Sequence, residues 1–182
     1  MISRRTWISA TAAAGLVLSL AGLSAYAHYL LTLPKEEPDG WQPIAWPFPR
    51  DGWPPGKAWR GHDLEVYIRP KLGFCGNCDT GVVEDSEVDR VTDLDLFDEN
   101  FTPLGDGGRI RITDMTGRAR LYRLRMHGGE RTALGIAVNY KCDLIVAIVL
   151  GNVADPATAK FVRQFLEADK VQYWVNQQLE GR

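Results

Sequence analysis

Residues 144–150 read Leu-Ile-Val-Ala-Ile-Val-Leu, and residues 132–138 read Thr-Ala-Leu-Gly-Ile-Ala-Val. They are the two most apolar stretches after residue 33. Both are too short for core helices and rich in β-branched side chains, which is the signature of strands at the centre of a sheet. Ile136, Val138, Leu144, Val146, Ile148 and Leu150 are therefore expected to build the sheet's core. Residues 139–143 connect the two strands, with one long kinked strand as the alternative reading.

The sequence upstream supplies further strands. Leu64-Glu65-Val66-Tyr67-Ile68 alternates and is expected to stop at Pro70. Residues 91–97, with Asp93-Leu94-Asp95-Leu96 at their centre, alternate acid and apolar and predict a half-buried strand with Leu94 and Leu96 inward. Residues 101–108 are turn chemistry. Residues 109–112 and 118–126 predict a hairpin around residues 114–117, with a bulge where the alternation slips between Leu121 and Tyr122.

Downstream the period changes. Asp155 followed by Pro156 is a helix start. Phe161, Phe165 and Leu166 share a face; Asp169 with Gln172 suggests a second cap, and Val171, Trp174, Val175 and Leu179 repeat the stripe. The expectation is an α+β domain over residues 60–182, with a mainly antiparallel sheet of five or six strands and two C-terminal helices that break at Ala168–Asp169.

Residues 28–59 precede that domain. Residues 34–59 hold seven of the chain's ten prolines and four of its six tryptophans, Trp41, Trp46, Trp53 and Trp59. Proline removes backbone donors and favours extended chain. The indoles make the segment too apolar for a free linker, so it reads as a strap laid on the domain, or as a docking or ligand-stacking segment.

Residues 1–27 have the layout of an export signal. Arg4 and Arg5 are followed by a run without charged side chains, and Ala25-Tyr26-Ala27 is a small-x-small cleavage pattern. Ser3-Arg4-Arg5-Thr6-Trp7-Ile8 resembles the twin-arginine translocation signal, with Trp7 in the place of the usual Phe and Ser9 in that of the Lys. That resemblance implies export of a folded chain by the twin-arginine translocase, hence a bacterial periplasmic address. An ordinary secretory signal is the alternative. The uncharged run reaches Leu33, long enough to remain uncleaved as an inner-membrane anchor. The formal net charge of −2 argues against a nucleic-acid partner.

Cys75-Gly76-Asn77-Cys78 is the sharpest chemical motif. It superficially resembles a thioredoxin active-site loop, but no helix start that would activate a thiolate follows it. In an oxidising compartment a structural disulfide is the main expectation, either Cys75–Cys78 or one of them to Cys142. A dithiol redox pair is the alternative. Zinc on Cys75, Cys78, Cys142 and His62 is a further one. Cleavage after Ala27 would make His28 N-terminal, and with His62 or His127 it resembles a copper histidine brace. No cofactor is predicted outright, and no residue is assigned as catalytic.

Charge is segregated in the middle of the chain. Residues 84–106 hold nine carboxylates against Arg90, and residues 109–131 hold seven arginines. The pairs 109/111, 118/120 and 123/125 each share a strand face. Cross-strand pairing on the wet face is one reading. Arg118, Arg120, Arg123 and Arg125 as a surface for an anionic ligand or partner is the other. The function expected is thus an exported accessory or protein-interaction domain with a structural disulfide, or else a periplasmic thiol-redox or metal-handling protein.

Overall fold

The computed structural model describes residues 21–24, 26, 37–48, 52–73 and 81–180. The chain divides into two units, Met1–Lys35 and Glu36–Arg182. In the first, residues 21–24 and 26 are helical; Arg4, Arg5, Trp7, Ala25, Ala27 and His28 lie outside the described residues. Among the described residues no helix is long and apolar enough to cross a membrane.

The second unit is α+β. Its strands are β1 (Gln42–Ile44), β2 (Lys57–Gly61), β3 (Leu64–Lys71), β4 (Thr102–Pro103), β5 (Gly108–Ile112), β6 (Met115–Met126), β7 (Gly129–Tyr140) and β8 (Asp143–Leu150). Helix α1 (Asp85–Val91) and a 3-10 turn (Asp93–Leu96) precede β4, and α2 (Pro156–Glu167) and α3 (Asp169–Glu180) follow β8. The sheet is antiparallel, in the order β1-β2-β3-β8-β7-β6-β4, with β5 also on β6. The outer edge of β6 is covered in two pieces: β5 pairs with Met115–Ala119 and β4 with Tyr122 and Arg123. Eight strands exceed the five or six expected: β1 and β4 have three and two residues and leave no periodic trace, and β2 begins inside the Pro/Trp-rich stretch expected as a strap.

β8 is buried on both faces, every residue from Leu144 to Leu150. Ile145, Ala147 and Val149 face α2 and α3, whereas Leu144, Val146, Ile148 and Leu150 face α1 and the 3-10 turn. The expected core residues thus divide, since Ile136 and Val138 belong to the α2–α3 side. The connection between the strands is tight: Tyr140 pairs with Asp143, leaving Lys141 and Cys142 as the turn, with Lys141 at φ 55°.

Three further expectations are corrected. β3 does not stop at Pro70, which pairs with Ile145. β2 ends opposite Ile68, so one side of β3 is open at Pro70, where a missing N–H is tolerated. The Leu121–Tyr122 slip is not a bulge, since β6 and β7 keep one unbroken register from Thr116↔Asn139 to Met126↔Gly129. What changes is the buried face. Met115, Ala119 and Leu121 face α2–α3, and Tyr122, Leu124 and Met126 face the other layer. The hairpin turn between β5 and β6 is Thr113–Asp114, and Gly117 lies inside β6, where a Cβ would collide with the Ala137 carbonyl oxygen.

Residues 91–97 are not a strand. Val88, Val91 and Leu94 are buried at a spacing of three across α1 and the 3-10 turn, which extended Thr92 separates. Glu87 starts the helix by accepting the N–H groups of Val83 and Glu84 at 2.7 and 2.9 Å, as in a capping box. At the C-terminus Asp155 accepts the Ala157 N–H at 2.9 Å with Pro156 as first helical residue. The chain breaks at Ala168, whose ψ is 139°. Asp169 is already inside α3, and Gln172 donates its side-chain amide to the Leu166 carbonyl at 2.5 Å rather than completing a box with Asp169.

Candidate functional site

The cysteine loop begins and ends on the β7–β8 turn. Residues 74–80, with Cys75 and Cys78, lie outside the described residues; their two flanks do not. Gly73 donates its N–H to Asp143 Oδ1 at 2.6 Å. Gly81, at φ 66°, sits so close to Asn139 that a Cβ would lie 2.9 Å from its side chain. Asn139 and Asp143 flank the turn that carries Cys142, which is exposed and whose thiol is not free.

His62 is not part of that neighbourhood. It forms a two-residue turn with Asp63 between β2 and β3, both at positive φ. That turn lies at the Leu150 end of β8, and Cys142 lies at the Leu144 end. The six residue steps between those ends span roughly 20 Å at strand rise, so the structure does not bring His62 and Cys142 into one ligand set. The His62 ring instead stacks on Phe161 at 4.6 Å, its Nε2 lying 3.3 Å from the Asp39 carbonyl oxygen. His127 occupies the β6–β7 turn, between Met126 and Gly129.

The tryptophans divide between the two layers. Trp41 and Trp59 are buried beside Phe165, at ring distances of 4.2 and 5.3 Å, on the α2–α3 side. Trp46 packs on Phe48 and Tyr67 on the other side. Trp59 lies inside β2 and β1 follows Trp41, so part of the expected strap is sheet.

Beneath Trp46 and Trp53 lies a charged cluster that the sequence reading missed. Arg69, Lys71 and Asp93 are only 2%, 6% and 8% exposed. Asp93 Oδ1 accepts from Lys71 Nζ at 2.6 Å, and Oδ2 lies 3.4 Å from Arg69 Nη1. Arg69 Nε donates to the Pro54 carbonyl at 3.2 Å. The Arg69 guanidinium lies 5.8 Å from the Trp46 ring and the Lys71 ammonium 5.9 Å from that of Trp53. A buried charge is tolerated only when paired and hydrogen-bonded. Its trace in the sequence is two cations two residues apart, Arg69 and Lys71, on either side of Pro70.

The arginines of β6 separate by parity. Arg118 and Arg120 point to the α1 layer, where Arg118 Nε meets Asp85 Oδ1 at 2.8 Å and Arg120 Nη1 meets both oxygens of Asp89 at 3.0 and 2.7 Å. Their remaining donors reach the carbonyls of Gly107 and Gly105. Tyr122 adds its hydroxyl to Asp89 at 2.6 Å. The Gly107 N–H and the Arg118 guanidinium hold the Asp85 carboxyl below the usual range. Burial, then the bond to Asp89, push the Tyr122 phenol well above its own. The cross-strand pairing expected for these arginines is therefore helix-to-sheet pairing. Arg123 and Arg125 point to the opposite face and are exposed, with Glu130 3.7 Å from Arg123.

These clusters are built to hold elements together. Asp85, Asp89 and Asp93 are each engaged by cations of β3 or β6. Among the described residues no group of three or more His, Cys, Asp or Glu side chains is arranged to hold a metal ion.

No protein-family model matches the chain. It is 25% identical over 114 residues to a diaminopimelate epimerase of Listeria monocytogenes serovar 1/2a, an alignment covering 58% of this chain and 34% of that enzyme. The chain thus spans about a third of the length of the curated relative it matches, and its similarity to that enzyme is partial.

Proposed function

We propose that this chain is an exported periplasmic accessory or protein-interaction domain, held by a structural disulfide between Cys142 and the Cys75–Cys78 loop. The observation that supports the disulfide is the position of both flanks of the loop beside the turn that bears Cys142, Gly73 through its bond to Asp143 and Gly81 through its close approach to Asn139. The Cys142 thiol is not free, and Cys75 and Cys78 are the chain's other two cysteines. Closing such a loop restricts the unfolded chain and is worth about 4 kcal/mol in the chain-entropy model. The accessory reading is further supported by Asp85, Asp89 and Asp93, each of which pairs with a cation of the sheet.

Export follows from the resemblance of residues 3–8 to a twin-arginine signal. Non-reducing peptide mapping of protein recovered from the periplasm tests both parts. A bridge from Cys142 to Cys75 or Cys78 is the expected result. Three free thiols would favour the dithiol reading, and thiols that titrate with one bound zinc would favour metal handling. Retention of the Arg4→Lys/Arg5→Lys double variant in the cytoplasm is expected, since paired guanidiniums are not reproduced by lysine.

A second reading comes from the partial likeness to an epimerase. Inverting a carbon centre takes a base on one face and an acid on the other. Incubating the full-length chain with diaminopimelate in deuterium oxide tests it, and deuterium uptake at the α-carbon would replace the accessory reading.

A further inference from the structure

Glu37, Lys57 and Lys170 meet at the open edge of the sheet. β1 covers β2 only as far as Ile44, opposite Ala58, so Gly56 and Lys57 run on past its end. A cleft of about 290 Å³ opens there, between Pro43, Ile44 and the indoles of Trp46 and Trp59. Trp46 packs directly on Gly56, where a Cβ would collide with its ring and with the Ile68 carbonyl oxygen.

The charges in the cleft do not cancel. Glu37 is already used on both oxygens: Oε1 meets Lys170 Nζ at 2.5 Å and Oε2 accepts the Trp59 indole N–H at 3.0 Å. Lys57 is the surplus cation. Its Nζ lies 5.1 Å from the centre of the Trp174 ring. Among the described residues it makes no hydrogen bond or ion pair. An ammonium has three donors and no acceptor. Lys57 is exposed, and partial desolvation, reinforced by the neighbouring Lys170 and opposed by Glu37, holds its ammonium below the usual lysine range.

We propose that this cleft binds a small organic carboxylate with an apolar or aromatic body, the carboxylate on the Lys57 ammonium and the body against Trp46 and Trp59. The size is at the small end for ligand pockets, which run from roughly 300 Å³ upward. The sign follows from two ammonium groups beside a single carboxylate whose two oxygens are both already engaged. A dianion would face Glu37, and a cation would be repelled by Lys57 and Lys170. The site is independent of the disulfide and of export.

Benzoate, benzamide and benzylamine are the probes, titrated into the full-length chain and followed by the tryptophan indole N–H resonances and by calorimetry. Benzoate is expected to bind saturably and about tenfold tighter than benzamide, the value of one charge-assisted contact. Lys57→Met is expected to lower benzoate affinity about tenfold, and Lys160→Met, on the exposed side of α2, to leave it unchanged. Lys57→Gln is the second charge-removing variant, should the first lose its far-UV circular dichroism. Equal binding of benzoate and benzamide, or wild-type benzoate affinity in both folded Lys57 variants, overturns the proposal.

Discussion

The two faces of the sheet are built from the same strands and held by different forces. On one face α2 and α3 bury an apolar layer centred on Phe165, Trp41 and Trp59. On the other, α1 and the 3-10 turn also bury apolar residues, but they are tied to the sheet by charge: Asp85 to Arg118, Asp89 to Arg120 and Tyr122, Asp93 to Arg69 and Lys71. Hydrophobic burial is non-directional and scales with area. Charge pairing is directional, costs desolvation and responds to protonation. A seven-residue helix has too little apolar surface to dock by area alone, so α1 docks by ion pairs, whereas two twelve-residue helices need none in their core.

The difference can be broken on either side. Phe165→Ala removes the centre of the apolar face, where Phe165 is 1% exposed. A loss of about 4 kcal/mol is expected from denaturant unfolding, and a loss under 1 kcal/mol would show that this face is held elsewhere. Asp93→Asn leaves two buried cations without their shared carboxylate. A loss of about 3 kcal/mol is expected, accompanied by altered Trp46 and Trp53 fluorescence, since those indoles lie over Arg69 and Lys71.

Tyr122→Phe takes one hydroxyl from Asp89 and leaves the packing of a fully buried ring. A loss of about 1–2 kcal/mol is expected. It sharpens the comparison because the loss falls on the charged face alone and leaves the α2–α3 layer untouched.

The smallest effect concerns pH. Asp85 and Asp98 titrate lower folded than unfolded, Asp85 through the Gly107 N–H and Arg118, Asp98 through the N–H groups of Arg125 and Asn100. A depressed folded value means stability present above the ordinary carboxylate range and lost as pH falls through the folded value. Amide exchange is therefore expected to rise in α1 below about pH 4, while β8 and α2 stay protected. Equal loss of protection on both faces would show that they do not open separately.

The sequence alone determined the central strands, the antiparallel sheet and the C-terminal helices. Seven apolar residues at 144–150 must be buried whatever surrounds them, and Asp155-Pro156 starts a helix by local hydrogen bonding. Only the tertiary structure decided the rest. The alternation at 93–96 fits a strand, yet the spacing of Val88, Val91 and Leu94 wins because α1 finds Arg118 and Arg120 at hand across the sheet. Arg118 and Arg123 look equivalent in the sequence, but a strand sends odd and even residues to opposite faces, and only one of those faces carries α1. In the same way Arg69 and Lys71 became interior residues, and Lys57 and Lys170 became neighbours across a cleft, because the partner that sets a charge's environment comes from another part of the chain.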